Sequence, residues 1–154
     1  MSKVEQRLQE MGLEVPVPAK PVAAYVPTCR TGNLVFTAGQ VPVAGGELQY
    51  RGKLGAEVSI EEGYAAARLC ALNCLGALKA EIGDLDRITR IVKVVGFVAS
   101  AEGFTDQPKV INGASELLVA AFGDAGKHAR SAVGVAELPL GCPTEVEMIV
   151  EVSG

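Results

Sequence analysis

The sequence predicts an α+β domain: a mixed β-sheet with two helices packed on one face, in the order β-β-α-β-α-β-β, and an extra helix in front. Three observations carry this. Ile88 to Ala99 is an almost unbroken apolar run, holding Ile91, Val92, Val94, Val95, Phe97 and Val98, as expected of a central strand covered on both faces. Thr144 to Val152 alternates strictly, with Val146, Met148, Val150 and Val152 on one side and Glu145, Glu147, Ile149 and Glu151 on the other. Two further stretches, opened by Ser59 and Pro108, repeat their apolar residues with the helical period.

Ser2 and Glu5 form a capping box, and Val4, Leu8 and Met11 recur behind it, so residues 3–11 are expected to be a short amphipathic helix ended by Gly12. Pro16, Pro18 and Pro21 forbid a regular helix and predict an extended linker. The chain therefore divides into an arm and linker over 1–20 and a single domain over 21–154. Leu34-Val35-Phe36-Thr37-Ala38 has strand composition, and Gly32-Asn33 suits a tight turn, so 22–30 should pair with 34–38. Gly45, Gly46 and Gly52 mark a surface loop. A second capping box, Ser59 with Glu62, opens a helix in which Ala71, Leu75, Leu78 and Ile82 follow the period up to Gly83. After the apolar strand, Pro108 suits a first helical turn, and Val110, Ala114, Leu117 and Ala121 lead to Gly123. Residues 131–136 are a strand, Leu138 to Gly141 a turn and 144–152 the last strand. With one spare helix, the second sheet face lacks a cover, which argues for another subunit.

A chain of 154 residues is one ordinary domain, and 49% hydrophobic against 21% charged residues excludes disorder. The net charge of −4 argues against a protein held to nucleic acid by its overall charge. No apolar run is long enough for a membrane span and no leader follows Met1, so the chain reads as soluble and cytoplasmic. Cys29, Cys70, Cys74 and Cys142 include no Cys-x-x-Cys pair, and His128 is the sole histidine, so a metal site is not expected. Cys70 and Cys74 share a helix face as small core residues. His128 reads as a solvated turn residue. Phosphate loops, zinc helices and nucleophile elbows are absent from the sequence.

Arg130 is the residue of interest. By strand alternation it shares a face with the small residues Ala132, Gly134 and Ala136, which leaves space in front of a fork suited to a carboxylate. A hairpin through Leu138–Pro143 would bring Glu145 near it. Two readings stand: a sheet-face ion pair, or a ligand-binding arginine.

The stretch Arg130-Ser131-Ala132-Val133-Gly134-Val135-Ala136-Glu137-Leu138-Pro139, with Glu145-Val146-Glu147 after it, resembles the signature of the YjgF/RidA family. So does Gly32-Asn33-Leu34-Val35-Phe36-Thr37-Ala38-Gly39-Gln40-Val41-Pro42, and the resemblance runs from about Pro21 to the C-terminus. It implies a chorismate-mutase-like fold, a homotrimer with ligand clefts between subunits, and hydrolysis of enamines and imines of the 2-aminoacrylate type to 2-keto acids and ammonia, without cofactor or metal. By position, Arg130 would bind the substrate carboxylate, Glu145 would hold the attacking water and Tyr25 would lie at the leaving nitrogen. Gly39, Ala132 and Asn112 would line the same cleft, Ala132 standing where the family commonly has cysteine. Two rival functions share these residues: a trimeric binder of small carboxylates without turnover, and an endoribonuclease. The negative charge and an aromatic content of 5% disfavour the second.

Overall fold

The computed structural model, which describes residues 1–20 and 23–154, has one five-stranded sheet backed by two long helices. Its first helix, α1 (Lys3–Glu10), begins at the expected capping box, Ser2 Oγ accepting from the Glu5 amide at 3.0 Å. Two further amides of its first turn, those of Lys3 and Val4, donate to the Asp86 carboxylate at 2.8 and 3.1 Å. Val4 and Leu8 are buried. This arm is packed on the domain; residue 21, where the domain is predicted to begin, lies outside the described residues.

The hairpin β1 (Thr28–Thr31) and β2 (Leu34–Thr37) pairs Thr31 with Leu34 across the turn, where Gly32 takes φ +57°. The strand predicted from 22 is ordered as β only from Thr28; residue 22 lies outside the described residues. The expected surface loop contains a small hairpin, β3 (Val43–Ala44) and β4 (Glu47–Leu48), turned by Gly45 and Gly46 at φ +61° and +80°. Both positive φ values suit glycine, which has no Cβ to clash.

Helix α2 (Ile60–Ile82) starts at the second capping box. It is followed by β5 (Ile88–Ala99), α3 (Gln107–Phe122), β6 (Ala129–Val135) and β7 (Thr144–Val152). The strand order is β1-β2-β7-β5-β6, with β5 parallel to β6 and antiparallel to β7. Helices α2 and α3 cover one face, and they approach so closely that a Cβ on Gly113 would lie 2.0 Å from the Tyr64 carbonyl oxygen. Between helices and sheet lie Leu75, Leu78, Ile91, Val94, Ile111, Leu118, Val146 and Val150, all fully buried.

The opposite face is open. Phe36 and Val133 are exposed there, and Val95, Phe97 and Ile149 are half-buried beside Glu145 and Glu147. Strand β5 is interior, between the middle strand β7 and the edge strand β6, and this chain covers only one of its faces, not both as its composition predicts. The hairpin expected through 138–143 does not form, because β5 is inserted between β6 and β7. Instead the chain crosses the end of β5 through a 3-10 turn at Pro139–Gly141.

Candidate active site

On the face of β6 that meets α3, Arg130 lies opposite the buried Val94 of β5. Its Nη1 donates to Asn112 Oδ1 at 2.8 Å and to Ser115 Oγ at 3.2 Å. Asn112 and Ser115 are three apart on α3, so they lie one above the other on the helix surface and hold the same nitrogen. The Nε and Nη2 donors of Arg130 have no acceptor among the described residues, and no carboxylate there pairs with it. The sheet-face ion pair is therefore excluded within the described chain. Ala132 packs toward the core on the same face, and Gly134 lies against Gln107 and Ser100 of the α3 approach.

Glu145 is on the other face. It lies opposite Phe97 in the ladder, and β6 and β7 are two strand spacings apart, about 10 Å. Its carboxylate rests against Gly39, where an added Cβ would come within 2.6 Å of Oε2. Burial first, and then the charge of Glu147, push the Glu145 carboxyl above the ordinary range. Gly39 also lines a cleft of about 380 Å³ with Tyr25, Pro27, Gln40 and the Pro16–Lys20 segment. Asn73 fixes one wall of that cleft by donating to the carbonyls of Val41 and Val43 at 3.0 and 2.9 Å. Tyr25 is 60% exposed.

The six residues expected at the site thus fall into two groups. Arg130, Asn112 and Ala132 lie on one side of the sheet at its β6 edge; Glu145, Gly39 and Tyr25 belong to the other group, around the start of β7. One chain does not bring them together. Sequence reasoning missed Ser115 and misread His128, which is half-buried rather than solvated. His128 Nε2 lies 2.9 Å from Ser115 Oγ and Nδ1 2.7 Å from the Gly126 carbonyl oxygen. The i,i+3 spacing of Asn112 and Ser115 and the i,i+2 spacing of His128 and Arg130 were the available signals.

A mixed five-stranded sheet with two long helices on one face and the other face open, carrying an arginine whose Nε and Nη2 are unpaired among the described residues, is the architecture of a YjgF-type scaffold. A family model described as "YjgF/chorismate mutase-like, putative endoribonuclease" matches residues 5–152, and the chain belongs to this YjgF/RidA family. Protein TCP17 of Trypanosoma cruzi is 44% identical over 98% of this chain and 95% of its own length. The crystal structure of Atu1372 from Agrobacterium tumefaciens, described as of unknown function, superposes with a TM-score of 0.93 at 43% identity over 98% and 93% of the two chains. Escherichia coli TdcF, solved with bound serine, superposes with a TM-score of 0.62 at 26% identity over 89% and 94%. No helix among the described residues is long and apolar enough to cross a membrane.

Proposed function

We propose that this protein hydrolyses small enamine and imine intermediates of the 2-aminoacrylate type to 2-keto acids and ammonia, in a cleft assembled between subunits of a cytoplasmic homotrimer. One observation carries the reading: Arg130 is clamped through Nη1 while the edge formed by Nε and Nη2 stays free for a carboxylate. Binding of serine by TdcF supports a ligand with an amino-acid skeleton. The open sheet face supports assembly, since a second protomer would supply the group that each half-site lacks.

The chemistry follows from these residue types. The enamine tautomerises to its imine, whose protonated C=N carbon is electrophilic without further activation. Arg130 would orient the carboxylate. Glu145, with its proton affinity raised by burial, would take a proton from water as oxygen bonds to carbon. The carbinolamine then breaks its C–N bond as Tyr25 or solvent protonates the nitrogen. The O–H electrons form the C=O bond while the hydroxyl proton leaves to solvent, ammonia departs with the 2-keto acid, and Glu145 returns its proton to solvent. Positioning rather than a strong nucleophile provides the acceleration.

A coupled assay tests this. Serine and a pyridoxal-phosphate dehydratase generate 2-aminoacrylate, and the rate of keto-acid release is followed with and without this protein. Release faster than the buffer reaction is expected. Equal rates would reject the deaminase and leave binding without turnover.

A further inference from the structure

We propose that Ser115 and His128 form a relay behind Arg130, Ser115 positioning the guanidinium and His128 linking its own protonation to occupancy of the arginine by a small carboxylate. The inference rests on the reading that Arg130 takes such a ligand.

The hydrogen bonds admit one consistent assignment. The Gly126 carbonyl can only accept, so His128 Nδ1, at 2.7 Å from it, carries the hydrogen. In the neutral ring Nε2 is then an acceptor, and the Ser115 hydroxyl at 2.9 Å donates to it. That orientation turns a Ser115 lone pair toward Arg130 Nη1 at 3.2 Å. Asn112 alone would restrain Nη1 at a single point, whereas Asn112 and Ser115 together occupy both of its hydrogens.

The charge argument gives the sign. Guanidinium and imidazole nitrogens are no more than about 6 Å apart through Ser115 Oγ, so the Arg130 charge opposes a proton on His128. Burial holds the imidazole below its ordinary range; the Gly126 bond partly counters it, and the Arg130 charge, the smallest of the three influences, adds to the lowering. Other charged groups nearby are engaged or turned elsewhere. Lys127 pairs with Asp124 at 3.2 Å in the preceding turn, Glu116 of α3 bonds Tyr64, and Lys93 of β5 lies opposite Ala129 on the far face. Glu145 would face the ligand from the other half-site. A carboxylate on Arg130 offsets the guanidinium charge, so its arrival raises the proton affinity of His128. By reciprocity, a protonated His128 binds the carboxylate more tightly.

The chain has one histidine, so an NMR pH titration reads this imidazole without ambiguity. Saturating pyruvate is expected to raise its midpoint by about 0.5, equivalent to about a threefold gain in affinity on protonation. Arg130→Gln should raise the midpoint without ligand and abolish the response to pyruvate. Calorimetry is done in a Glu145→Gln background, where that carboxyl cannot titrate. There pyruvate should bind about threefold more tightly at acid pH than at neutral pH, and adding His128→Gln should remove the dependence. Ser115→Ala should weaken pyruvate binding about tenfold, and Ser115→Thr, which keeps the hydroxyl, should restore it. A midpoint unmoved by Arg130→Gln, or a pH dependence that survives His128→Gln, overturns the relay. Failure of pyruvate to bind at any pH instead rejects the carboxylate reading and the linkage to occupancy, while the Arg130→Gln midpoint still decides whether arginine and histidine are coupled.

Discussion

Arg130 and Glu145 place opposite demands on stability. Arg130 makes no ion pair among the described residues, and its neighbours are polar groups that water can satisfy at a sheet edge. Arg130→Ala should therefore reduce kcat/KM on the order of 10²-fold or more, the cost of removing one partner of a hydrogen-bonded charge pair. Its melting temperature should stay near that of the unaltered protein; a large fall would mark Arg130 as structural. Glu145 is the reverse case. Its carboxyl is held high by burial and by Glu147, so the folded chain binds this proton more readily than the unfolded chain does. Stability from this group is present at acid pH and is lost as pH climbs through the raised value. Glu145→Gln should match the unaltered protein in acid and melt at a higher temperature near neutrality, while turnover falls on the order of 10²-fold or more. Melting curves at two pH values and the coupled assay check both halves. At this scale the sequence carried the arginine's face, because alternation with Ala132 and Gly134 is local. Ser115 and His128 escaped because their roles depend on α3 and the turn at Gly126 meeting in space.

Elements were legible wherever their signals are local. Both capping boxes, the periodic stretches behind them and the alternation of 144–152 are written within a few residues, and the helices and strands fall where those signals place them. Strand order is not local. The segment 138–143 has the length of a hairpin, yet the apolar β5 takes the place between β6 and β7, and the neighbourhood of Arg130 and Glu145 is lost with it. Contacts between elements are also where the site is most sensitive at a distance. Gly113 lies between Asn112 and Ser115 on α3, and a Cβ there would meet the Tyr64 backbone oxygen at 2.0 Å, an atom that α2 holds in place. Gly113→Ala should force the helices apart, costing about 1–3 kcal/mol and displacing both residues that clamp Arg130. Denaturant unfolding and the assay together check this. The expected pattern is lowered stability with a raised KM, and a variant of unchanged stability would contradict the close approach.

The molecule as a whole carries the two groups of candidate residues at separate places on one sheet, which the proposed function reads as two half-sites. Arg130 with Asn112 lies at the β6 edge on the helix side; Glu145 with Gly39 lies on the face that this chain leaves open, where Phe36 and Val133 are exposed. In the proposed assembly, packing that face against a symmetric copy would remove apolar area from water, and the β6 edge that carries Arg130 would meet the Glu145 group of a neighbour. The arrangement makes a quantitative prediction. Arg130→Ala and Glu145→Gln proteins should each be inactive alone. Unfolded together in equal amounts and refolded, they form hybrids in which a cleft is intact only when its arginine comes from the Glu145→Gln chain and its glutamate from the Arg130→Ala chain. With random assortment in a closed ring that happens at about a quarter of the clefts, so the mixture should regain about a quarter of the unaltered rate. If one protomer supplied both residues, every cleft in the mixture would still lack one of them, and the rate would stay at the level of the separate variants.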